Sequence, residues 1–135
     1  MTESRVYLSL AREAPAHLLQ GSALGPAQFS AHAVTAALRS ALPVMDEEEL
    51  EYEALWEAAA GCPGRALVAA VDVSTQAVTW LGDEARPSAV ACGVDVGQAD
   101  LVSWHVALEG DDDEAELSWY DASETGEVAR LVALW

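Results

Sequence analysis

Alternation and helical spacing divide the chain into elements. Arg5 to Leu10 alternates, with Val6, Leu8 and Leu10 on one face, and predicts a half-buried strand. Pro15 followed by Ala16 to Gln20 predicts a short helix with proline in its first turn. Gly21 and the Gly25-Pro26 pair punctuate a loop. Phe29 to Thr35 predicts a second strand, after which Thr35 caps a short helix, Ala36 to Ala41, that Pro43 ends. Arg65 to Val73 is almost continuously apolar, the mark of a central strand covered on both faces.

Thr75 to Pro87 reads as a connection, and Ser88 to Val94 as another strand. Leu101 to Leu108 alternates, with Val102, Trp104, Val106 and Leu108 inward and Ser103 and His105 outward. Glu109 to Glu114 is a charged turn, and Leu117 to Asp121 a last short strand. Within that strand Trp119 and Tyr120 must point to opposite faces, one into the core and the other outward and available to a partner, with Tyr120 the candidate contact residue. Thr125 is placed as the cap of a final helix with Val128, Leu131, Val132 and Trp135 in one stripe. The fold expected is a single α+β domain over residues 1–135. Its sheet is mixed or mostly antiparallel, with five or six strands and three or four helices.

Between these strands lies the stretch Met45 to Glu57, with seven carboxylates and no basic residue. Asp46 as N-cap and Glu49 three residues later form a capping-box pattern, and Met45 and Leu50 occupy the hydrophobic-staple positions. Glu47, Glu48 and Glu49 lie where the helix dipole favours anions, by about 0.3–1 kcal/mol each. Tyr52, Leu55, Trp56 and Ala59 recur at helical spacing and predict the core face. Glu51, Glu53 and Glu57 lie beyond the first turn, where the dipole gives no help. Like-charge pairs four apart cost about 0.2–0.5 kcal/mol each. These three are the candidate partner-binding carboxylates.

The charge sharpens the picture. The 135 residues carry a formal net charge of −17, with all six fixed cations supplied by arginine. No basic cluster exists to meet phosphates, so direct binding to nucleic acid or to an anionic membrane is not expected. A basic protein surface is the expected partner, with a second copy of the chain as the alternative. Lys, Ile and Asn are all absent. Their codons are rich in A and T, so the gap points to a GC-rich genome. No apolar run is long enough to span a bilayer, and MTESRVYLSL lacks the pattern of a signal peptide. A cytoplasmic location follows as the expectation, with Cys62 and Cys92 both reduced.

Catalytic signatures are scarce. There is no Walker loop, GxGxxG, HExxH, GxSxG or CxxC motif. His17, His32 and His105 are scattered, and Asp111 to Glu116 lacks the ligand pattern of a calcium loop. No metal and no cofactor are expected. Four segments nonetheless look familiar together: RVYLSL (5–10), LGPAQFSAHAVTAALR (24–39), DEEELEYEAL (46–55) and ELSWYDASE (116–124). They resemble a family of short, acidic actinobacterial proteins known only as a domain of unknown function. The resemblance implies an actinobacterial, cytoplasmic origin and supplies no activity.

Two functions compete on these residues. The first is a non-enzymatic acidic interaction module. The second is a small-ligand binder or a degenerate, NAD-related domain, since the element order is loosely similar to ADP-ribosyltransferase-like folds. On that analogy Arg5, Tyr7, Ser30, His32, Thr35 and Arg39 line one cleft, although Ser88 to Val94 lacks the glutamate such enzymes carry on a late strand.

Overall fold

The computed structural model describes residues 3–24, 29–62, 64–82, 85–107 and 117–135. Its strands are β1 (Glu3–Ser9), β2 (Phe29–Ala33), β3 (Leu67–Ser74), β4 (Val78–Trp80), β5 (Ala89–Cys92), β6 (Leu101–Val106) and β7 (Ser118–Asp121). They form one sheet in the order β4-β5-β2-β1-β3-β6-β7, with every neighbouring pair antiparallel. The helices are α1 (Ala14–Leu19), α2 (Ala36–Ala41), α3 (Glu47–Ala60) and α4 (Thr125–Val132). The class is α+β as expected, but among the described residues the sheet has seven strands rather than five or six. The addition is β4, inside the stretch read as a connection. Its three residues pair with Cys92, Ala91 and Val90, and are too few to show an alternation.

Each face of the sheet has its own core. Val6, Leu8, Leu67, Ala69, Val71, Trp104 and Val106 point to one side, where Leu18 of α1 and Val128 and Val132 of α4 close over them. Tyr7, Val68 and Ala70 point to the other, under Leu38 of α2 and Leu50, Ala54, Leu55, Ala58 and Ala59 of α3. The continuous apolar run of β3 is thereby explained, since it is covered on both sides. The strand β1, expected to be half-buried, is covered on both sides too, with Tyr7 beneath α3.

The strand β6 departs from its sequence reading in a definite way. A bulge opposite Ala70 and Val71 pairs Ser103 with Ala70 but Leu101 with Val71, leaving Val102 as the extra residue. Leu101 therefore takes the core place expected for Val102, which is half-buried. The outward residues are also covered: Ser103 is buried and His105 half-buried. Leu108 and the Glu109 to Glu114 turn lie outside the described residues. Trp104 is fully buried, and its indole N–H donates to Thr125 Oγ1 at 3.0 Å. That hydroxyl donates in turn to the Ala122 carbonyl at 2.8 Å. Thr125 is thus the first residue of α4 rather than its cap, and it ties α4 to the largest core side chain. Cys62 and Cys92 are both free thiols.

Replacing Trp104 with Ala will cost about 3–5 kcal/mol in denaturant unfolding, because it opens a cavity beneath α4. Thr125→Val removes the partner of a buried indole N–H at nearly constant volume and will cost about 1–3 kcal/mol. A loss below 0.5 kcal/mol (roughly the surface-substitution level) in the second variant would show that the Thr125 bridge holds nothing.

Candidate functional site

The rotation of α3 about its axis decides which carboxylates are available. Asp46 accepts from Glu49 N at 2.9 Å while Asp46 N donates to Glu49 Oε1 at 3.2 Å, so the capping box forms as expected. Met45 packs on the same cluster as Leu50, completing the staple. The helix lies over β1, with β2 and β3 on either side. Glu51 precedes the buried Ala54, Leu55 and Ala58 by three, four and seven positions, so it faces the sheet. It is half-buried there, and its charge acts on both Tyr7 and Arg5.

Glu53 and Glu57 lie half-buried on the opposite flank of the helix. The three carboxylates expected as one contact set do not share a face, because two residues along a helix are about 200° apart. Tyr52, expected in the core, is 43% exposed, and the half-buried Trp56 meets it edge to face at 5.9 Å and 73°. The first helical residue, Glu47, has a counter-ion from outside the helix. Arg39 of α2 holds it through two hydrogen bonds of 2.6 and 2.9 Å.

Beneath Glu51 the sheet carries a polar row. Strand register aligns His32, Tyr7, Ala70, Ser103 and Asp121 across β2, β1, β3, β6 and β7. Arg5 and Asp72 pair across β1 and β3, with Nε to Oδ1 at 3.0 Å and Nη2 to Oδ2 at 3.2 Å. Asp72 is the one charge in an otherwise apolar strand, a signal the sequence carried without its partner being evident. The imidazole of His105 meets Tyr7 edge to face at 6.5 Å, across the small Ala70 row. Burial, then the Tyr7-side charge of Arg5, brings the His105 pKa down to about 4. Burial, then the Glu51 charge, pushes the Tyr7 hydroxyl up to about 12. Both groups are therefore neutral at pH 7.

Only part of the expected ligand cleft comes together. Arg5, Tyr7 and His32 share this face, with His32 buried and its Nδ1 2.9 Å from Ser88 Oγ. Thr35 Oγ1 accepts from Leu38 N at 2.9 Å and donates to the Pro87 carbonyl at 2.6 Å, so it is spent on capping α2 and tying it to the approach to β5. Arg39 points away, to Glu47. The side chain of Ser30 lies outside the described residues. Tyr120 turns inward and packs against the core, leaving Trp119, 60% exposed, as the outward aromatic of β7.

Ser103 Oγ stands 3.0 Å from His105 Nε2, the spacing of a nucleophile and its base. A nucleophile must reach its substrate, however, and Ser103 is only 4% exposed. The pair links two neighbouring side chains on one face of β6, with the hydroxyl covered. On the opposite side of the molecule a pocket of about 380 Å³ is lined by Leu10, Arg12, Glu13, Arg65 and Trp135. Its guanidinium groups are engaged within the chain, Arg65 over the Trp135 ring at 5.1 Å and Arg12 on the Trp135 carbonyl and Glu13. Among the described residues no three His, Cys, Asp or Glu side chains gather as a metal site, and no helix is long and apolar enough to cross a membrane.

Comparison with protein families places residues 4–129 in a family of unknown function, DUF6912, and the chain belongs to that family. No curated protein and no solved structure matches it significantly.

The depressed pKa of His105 has a consequence for stability. The unfolded chain binds this proton near pH 6.5 and the folded chain only near pH 4, so the contribution is complete above pH 6.5 and is lost as pH falls toward 4. His105→Gln keeps a group that can bond Ser103 but cannot titrate. Between pH 7 and 5 the native protein will lose stability relative to this variant, by roughly 1–2 kcal/mol in urea unfolding. Parallel stability curves would show that His105 is not held neutral by burial.

Proposed function

We propose that this member of a family of unknown function is a non-enzymatic interaction module that engages a basic protein surface through α3, in the cytoplasm. The observation that supports this reading is the state of the helix's carboxylates. Seven lie between Asp46 and Glu57, and among the described residues only Glu47 forms an ion pair, with Arg39. The cap and the dipole stabilise the first turn. Glu53 and Glu57 have neither benefit, and their mutual repulsion is a standing cost that a cationic partner relieves. A second copy of the chain is the weaker choice of partner, since each copy carries −17. The small-ligand alternative draws its support from Glu51, Tyr7, His105 and the Arg5–Asp72 pair, which gather around one polar row.

The rotation of α3 supplies an internal control. Glu53 and Glu57, which share one flank of the helix, changed together to Gln will abolish salt-sensitive retention of partners from native cytosol. Glu51→Gln, on the sheet-facing side, will leave it intact. Retention of every partner by the double variant, with unchanged salt dependence, would leave the charge as a solubility device and remove the basis of the proposal.

A further inference from the structure

The outer side of α3 carries more than charge. Glu49, Tyr52, Glu53 and Trp56 stand at positions i, i+3, i+4 and i+7, so they form one contiguous surface stripe. Two carboxylates alternate in it with two aromatic rings. The rings meet edge to face, and Tyr52 keeps 43% of its surface open. Glu49 accepts at Oε1 from the Asp46 backbone N–H, and its second oxygen has no such bond among the described residues. Among the described residues no cation of the chain contacts Glu49, Tyr52, Glu53 or Trp56.

We propose that this stripe is a docking site for an arginine side chain on an exposed basic segment of another protein. The proposal rests on the reading of α3 as the contact element and names the side chain it reads. A guanidinium is flat, so it can lie on an aromatic face while its edge N–H groups reach carboxylates on either side. The compact lysine ammonium can take the carboxylates or the ring but lacks the fork that joins them. Both halves of the interaction already occur inside this chain. Arg65 lies over the Trp135 ring at 5.1 Å to its centroid, and Arg39 grips Glu47 with two N–H groups at the start of the same helix. The outer stripe offers the two kinds of acceptor together, with no guanidinium upon them among the described residues.

The test uses the full chain and two fluorescein-labelled nonapeptides of equal charge. One carries three arginines and the other three lysines in an otherwise identical Gly/Ser sequence. In anisotropy titrations at about 0.15 M salt, where surface charge is screened beyond about 8 Å, the arginine peptide will bind about five-fold tighter or better. Tyr52→Ala will bring the arginine peptide down to the lysine level, Tyr52→Phe will preserve the preference, and Glu53→Gln will weaken both peptides. Equal binding of the two peptides, unaffected by Tyr52→Ala but weakened by Glu53→Gln, would overturn arginine recognition and leave the acidic contact standing. Binding of neither peptide at millimolar concentration would overturn both.

Discussion

The packing of one helix on one sheet face governs the rest of this molecule. Leu50, Ala54, Leu55 and Ala58 bury themselves against Tyr7, Val68 and Ala70, and that contact sets the rotation of α3. A rotation by one residue, about 100°, would exchange the inward carboxylate for an outward one and bury the exposed aromatics. Small residues make the fit possible: Ala54 and Ala58 are fully buried and let the helix approach, while Ala70 leaves room for Tyr7 to reach His105. The capping box and the Met45–Leu50 staple fix where the helix starts, and the Arg39–Glu47 pair fastens that end to α2.

From that rotation follow two unlike surfaces on the same element. Toward the sheet, Glu51 joins Tyr7, Arg5, Asp72 and His105 in a region where burial dominates and neutral forms of Tyr7 and His105 are favoured. Toward the outside, Glu49 and Tyr52 are exposed, with Glu53 and Trp56 half-buried beside them. The carboxylates of α3 are chemically alike but do different work. Those of the first turn stabilise the helix, Glu51 polarises the sheet face, and the outer ones meet a partner in the reading proposed above.

Much of the architecture was legible in the residues. The box at Asp46 and Glu49, the cap at Thr35 and the buried run of β3 arise from local patterns of short range, and the structure holds each of them; of the stripe read for α4 it holds Val128, Val132 and Trp135 against the core, with Leu131 outside it and Trp135 beyond the end of the helix. The errors arise where a pattern is ambiguous or where tertiary contacts decide. Spacing alone admits Tyr52, Leu55, Trp56 and Ala59 as a core face, because Leu55 and Ala59 satisfy it. The alternative stripe Leu50, Ala54, Ala58 fits equally well, and alanine's weak hydrophobic signal concealed it. Helix geometry alone separates Glu51 from Glu53, since two positions along a helix differ by about 200°. The bulge that exchanges Val102 for Leu101, the cover over His105 and the inward turn of Tyr120 depend on partner strands and helices that no local pattern contains.

In the proposed contact, the outer stripe of α3, rather than another aromatic surface, meets a basic partner. The chain has five tryptophans, Trp56, Trp80, Trp104, Trp119 and Trp135, and each reports from a different place. Nitrogen–proton correlation spectra of their indole N–H groups during titration with an arginine-bearing peptide separate the alternatives in one experiment. With the contact on α3, the Trp56 resonance will shift progressively and saturate while that of the buried Trp104 stays fixed. Saturating shifts at Trp119 or Trp80, with Trp56 unmoved, would contradict it and transfer the contact surface to an edge of the sheet.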